Sequence, residues 1–275
     1  MRISNNLEKH AVFKAGLTPQ IRREIGKINT SSLEKEFAKL NVECHLKDNQ
    51  ALGGILAYSA NILEEGFNKY SLPVIYLPPS IYVYNNSELI DKELTSDKTT
   101  GFCITDADRI IENEAPFDIS SVFIKNQPDN IDYLDKLAEN AYNEKFSASA
   151  HFLQYIFHEL FHAIHLDLIF KKDGYNGESP FGKELYKNPY IKYPKGLYTV
   201  ESLNSPISSM YKKYMIKNNL GAYASTSKTE LFAEAMTKLF TDSINSDEMT
   251  LKNNPLDNLK NYPKFIQRFI KRELD

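Results

Sequence analysis

Residues 158 to 162 read His-Glu-Leu-Phe-His, within a run that carries no proline from Ser147 to Lys172. If this run is helical, His158 and His162 differ by about 40° in azimuth and roughly 6 Å in rise, so their imidazoles project side by side. Two such rings can share one divalent ion. Glu159 stands about 100° round from His158, beside the open coordination position, where a carboxylate can take a proton from water. With six histidines in 275 residues, chance alone would produce this three-residue pattern in about one such chain per hundred. The flanking residues add to the pattern. Ile156, Phe157, Leu160, Phe161 and Ile164 bury the helix while a stripe of histidines faces inward. A zinc site is therefore expected.

Catalytic zinc takes three protein ligands and keeps a fourth position open. His165 is nearest in sequence, but seven residues put it about 10.5 Å along the axis from His158, too far for bonds of about 2 Å. His165 and His151 are read as polar residues that line a cleft or are satisfied in the core. Residues 221 to 240, GAYASTSKTELFAEAMTKLF, offer Glu230 and Glu234 one helical turn apart. Ser227 and Glu230 also have the spacing of a capping box, in which the glutamate merely closes the helix N-terminus. Spacing leaves ligand and cap equally open.

HELFH, a tyrosine seven residues ahead of a glutamate within AYASTSKTELFAEAM, a short breaker and a closing YPKFIQRFIKREL helix together resemble a known pattern. It is that of the catalytic domain of the anthrax lethal factor-like metallopeptidases, including the Pro-Pro endopeptidases. The Mlc titration factor A peptidases share much of it. The resemblance implies His158, His162 and Glu230 as zinc ligands, Glu159 as general base and Tyr223 as the donor to the oxyanion. It also implies that Glu234 lies near the metal and orients a ligand; His165 is placed with it around the ligands. The resemblance spans about residues 147 to 275. The family often has an acidic residue three after the second histidine, where this chain has His165, and the interval from His162 to Glu230 is longer than usual.

The elements that must position these residues follow from pattern. Helices are expected at 31–40, where Leu33, Phe37 and Leu40 recur at helical spacing, and at about 51–66, although Gly53 and Gly54 weaken its start. Short strands are expected within 73–84, interrupted by Pro78 and Pro79, and at 101–105 and 120–126. Further helices are expected at about 130–143, 147–171, 206–218, 227–241 and 256–273. The irregular stretch 171–205 reads as a lid or binding wall. The fold class is α+β: a small mixed or antiparallel sheet followed by a mainly helical, zincin-type catalytic part. Residues 1–70 form a helical region of no stated role, and 71–275 the catalytic domain, with its sheet at 71–126 and its helices at 129–275.

Composition points to no partner by itself, so any partner must be read from a local site. A formal charge of −3, from 33 basic and 36 acidic residues, gives no global attraction to nucleic acid or an anionic membrane. Cys44 and Cys103 can build neither a disulfide framework nor a thiolate zinc site. The most apolar stretch, 152–170, contains Gln154, His158, Glu159, His162, His165 and Asp167, which excludes a membrane span. The N-terminus has no apolar core of a Sec signal, so the expected location is outside the cell by a route without that signal, with the cytoplasm as the alternative. The expected activity is a zinc-dependent endopeptidase acting on a protein or extended peptide, which the resemblance places along an edge strand near 101–105. A regulatory aminopeptidase, or a binding module that keeps zinc for stability, are the competing readings.

Overall fold

The computed structural model describes residues 17–70, 78–85, 99–103, 120–172 and 210–275. The chain enters through two short helices, α1 (Pro19–Ile25) and α2 (Thr30–Lys39), capped by the side chains of Thr18 and Asn29. Strand β1 (Glu43–His45) follows, then the long helix α3 (Gln50–Tyr70). Gly53 and Gly54 do not break α3, because both lie buried under α1 and α2. A β-carbon on Gly54 would stand 2.7 Å from Ile25 Cγ2, so the missing side chain is what allows α1 to approach.

Strands β2 (Ser80–Tyr84), β3 (Gly101–Cys103) and β4 (Val122–Lys125) join β1 in a four-stranded sheet of order β1-β2-β4-β3. The sheet is mixed: β1, β2 and β4 are parallel, while β3 pairs antiparallel to β4 with Phe102 opposite Phe123. One face carries Cys44, Ile81, Val83, Val122 and Ile124 into the core. The other carries a row of stacked rings, His45, Tyr82, Phe123 and Phe102, one from each strand. The sheet thus begins at residue 43 rather than 71, because β1 pairs with β2 and draws the N-terminal region into the same layer. Expected strand residues 73–77 and 104–105 lie outside the described residues, as does 173–205 of the irregular stretch.

Behind the sheet come α4 (Ile131–Asn143), α5 (Gln154–Lys172), α6 (Met210–Lys217), α7 (Lys228–Asp242) and α8 (Lys264–Leu274). Between α6 and α7, Tyr223–Ser225 form one 3-10 turn. After α7 come a two-stranded ribbon, β5 (Ile244–Asn245) with β6 (Thr250–Leu251), and a 3-10 helix over Pro255–Asn261. The helix expected at 256–273 is divided at Pro263, which cannot supply a backbone N–H within a helix. Helix α5 starts at Gln154, not 147, because the preceding residues have other partners: Ser149 Oγ accepts from the His151 N–H, and His151 Nδ1 accepts from the Leu153 N–H. Phe157 and Phe161 of α5 pack on Phe240 of α7 with ring centroids 5.9 and 5.1 Å apart. All three are at most 1% exposed, and burying each contributes about 1.5–3 kcal/mol. This contact fixes the two helices that carry the candidate chemistry. Among the described residues no helix is long and apolar enough to cross a membrane.

Candidate metal centre

Helix α5 presents His158 and His162 from consecutive turns of one face, and α7 crosses in front of them with Glu230 in its first turn. The Nε2 atoms of the two histidines are 3.1 Å apart, and Glu230 Oε2 lies 3.0 Å from the first and 3.1 Å from the second. These three form the one group of potential metal donors among the described residues. Two ring nitrogens and a carboxylate oxygen that aim lone pairs at one point need a cation between them, whether protons or a metal. Tetrahedral zinc with bonds of about 2.0–2.1 Å holds its ligand atoms about 3.3–3.4 Å apart, so the triangle fits such an ion with small adjustment.

The local sequence explains why Glu230 is available. Ser227 caps α7 by accepting from the Glu230 N–H at 3.1 Å. The glutamate backbone thus takes part in the cap, while its carboxylate turns to the histidines. Burial alone would raise this carboxyl, but attraction to His162 and hydrogen bonds with both imidazoles hold it well below the usual carboxylate range. Burial likewise opposes protonation of His158, yet Glu230 and Glu234 on either side of the ring raise it well above the ordinary histidine value.

Glu234, one turn along α7, is 2% exposed and supports the ring from behind. Its Oε1 lies 3.0 Å from His158 Nδ1, the arrangement that fixes tautomer and orientation in metal-bound histidines. Its Oε2 accepts from the Ala148 N–H at 2.6 Å, and the Gln154 amide donates to the same carboxylate at 3.3–3.4 Å. Among the described residues no carboxylate stands beside the buried His162 Nδ1, and neither Nδ1 atom makes a hydrogen bond of good geometry. Gln154 and the Ala148 N–H were not foreseen from sequence, since neither residue type nor spacing marks them.

Glu159 is 6% exposed. Burial, offset by the two histidines and reinforced by Glu230 and Glu234, pushes its carboxyl up to about 7. Its Oε2 has no hydrogen-bond partner among the described residues. Edge strand β3 passes directly over it: a β-carbon on Gly101 would stand 3.1 Å from Glu159 Oε1 and 3.2 Å from its Cγ. Glycine is thus what lets the strand run this close, a role that a glycine opening a strand could have suggested.

Tyr223 sits on the 3-10 turn ahead of α7, its ring centroid 5.7 Å from that of His158 and its hydroxyl within hydrogen-bonding reach of Glu230. Burial, followed by the charges of Glu230 and Glu159, keeps the phenol strongly protonated. His165 is brought elsewhere. It stacks on Phe232 with centroids 4.1 Å apart, and its Nε2 lies 3.3 Å from Glu273 Oε2 on α8. It therefore joins α5 to the C-terminal helix rather than to the donor triangle. Buried His151 serves the start of α5.

No protein-family model, curated protein or solved structure matches this chain.

Proposed function

We propose that this chain is a zinc-dependent endopeptidase that hydrolyses peptide bonds of a protein or extended peptide, as the lethal factor-like sequence pattern implies. One observation carries the reading. Two buried histidines and a half-buried glutamate on two helices converge within 3.0–3.1 Å, and alongside them Oε2 of the adjacent Glu159 has no hydrogen-bond partner among the described residues.

His158, His162 and Glu230 would hold the ion, and Glu234 would orient His158. Zinc bound there supplies Lewis acidity toward a carbonyl and toward water. Glu159 removes a proton from the attacking water and later delivers it to the leaving amine. Tyr223, held protonated, donates to the developing oxyanion. Among the described residues, strand β3 is the last in the order β1-β2-β4-β3 and passes over Glu159 at Gly101. An extended peptide adding to that edge would bring a backbone carbonyl past the carboxylate.

The test measures zinc content together with turnover of a mixed peptide library. One zinc per chain and internal cleavage, both lost in His158→Ala, are expected. Cleavage that persists without metal, or a fully loaded protein that cleaves nothing, would overturn the proposal.

A further inference from the structure

The segment 145–149 touches both sides of the candidate centre. The Ala222 N–H donates to Lys145 O at 2.7 Å and the Tyr223 N–H to Phe146 O at 3.1 Å. Two residues on, the Ala148 N–H donates to Glu234. One short stretch of backbone thereby fixes the tyrosine and the carboxylate behind His158. The approach depends on Gly221, whose φ of +74° is open to few other residues. A β-carbon there would lie 2.3 Å from Phe146 O and 2.7 Å from the Ser147 carbonyl carbon. Phe146 itself is anomalous as a core residue. It is 51% exposed, yet its ring stacks on Tyr223 with centroids 5.0 Å apart and planes 26° from parallel.

We infer that Phe146 and Gly221 are positioning residues that hold the Tyr223 phenol beside His158 and Glu230, Gly221 by backbone docking and Phe146 by covering the ring. This rests on the peptidase reading only for its consequence in turnover; the clamp itself is a property of the fold. A half-exposed ring adds little to stability, so its conservation of Tyr223 geometry separates from folding. A purely structural phenylalanine would not behave so.

The experiment uses the full chain with Phe146→Ala, Phe146→Tyr, Tyr223→Phe and the double variant Phe146→Ala/Tyr223→Phe. Zinc content and melting temperature should stay near wild type in each. Phe146→Ala should lower kcat by about tenfold, part of the ~10²-fold expected for losing one oxyanion donor, with KM little changed. Phe146→Tyr, which keeps a ring, should restore most of it. In the Tyr223→Phe background, Phe146→Ala should have no further effect, because the group it positions is gone. A second readout needs no turnover: nitration by tetranitromethane, mapped by mass spectrometry, should become faster at Tyr223 in Phe146→Ala while other tyrosines are unchanged. Gly221→Ala should do the same if it folds, but Phe146→Ala decides the matter because it leaves the backbone intact. Unchanged nitration with unchanged kcat would overturn the clamp, as would an equal loss of activity in the Tyr223→Phe background. If wild type cleaves nothing, the peptidase reading fails, and the nitration result still settles whether Phe146 holds Tyr223.

Discussion

Glu230 and Glu234 are the same residue type on one helix face, yet their surroundings assign them different work. Glu230 meets two ring nitrogens, whereas Glu234 meets one nitrogen and two N–H donors from other residues. Glu230→Gln should weaken zinc binding severely, because a neutral amide replaces a charged ligand. Glu234→Gln should leave more zinc bound, with the roughly 10–100-fold loss of affinity typical of an outer partner; side-by-side zinc titrations check the order. Glu159→Gln should retain zinc and fold but lose nearly all hydrolysis, and wild-type turnover in a protease-free preparation would remove Glu159 from the chemistry. His151 supports a prediction about pH. Burial lowers its pKa to about 3 from an ordinary 6.5. Between those values the unfolded chain binds a proton that the native imidazole refuses. Stability is therefore intact above pH 6.5 and falls toward pH 3, by up to about 1.4 kcal/mol per pH unit from this residue. Denaturant melts from pH 7 to 4 should show a shallower fall in His151→Asn.

At the scale of elements, Gly54 gives a sharp test of packing. Alanine is the better helix former by about 1 kcal/mol, but here its β-carbon meets the stiff, branched Ile25 at 2.7–2.8 Å. Overpacking of about 1–3 kcal/mol should prevail, so Gly54→Ala should lower the denaturation midpoint with zinc content unchanged. The same glycine shows what a sequence hides. Helical periodicity located α2, α4 and α7 to within a residue or two, because their apolar stripes are regular. It could not show that Gly53 and Gly54 are contact points rather than breaks. It also missed α1, β1 and the β5-β6 ribbon, which are too short to display a period. The early start assigned to α5 failed for another reason: the run from Ser147 is free of proline, but backbone groups of residues 145–153 serve Tyr223, Glu234 and the start of the helix. Of the candidate site, the i, i+4 histidines were legible because both lie on one helix. Glu230 as their neighbour depends on how α7 crosses α5, and Gln154, Gly101, Phe146 and Gly221 depend wholly on contacts distant in sequence.

For the whole molecule, the donors lie on two helices that also form the core, so metal binding and folding are linked. A ligand that binds only the native state at a thousand times its Kd adds about 4 kcal/mol to stability. Adding zinc to chelator-treated protein should therefore raise the melting temperature of wild type and leave that of His162→Ala where it was. A shift of equal size in both would place the ion elsewhere. The most direct test of the central claim is metal analysis of the full chain after dialysis against limiting zinc, wild type beside Glu230→Gln. One zinc per wild-type chain and a large loss in the variant are expected from a triangle closed by Glu230. Equal zinc in the two proteins, or none in wild type, would contradict the assignment of His158, His162 and Glu230 as a metal centre.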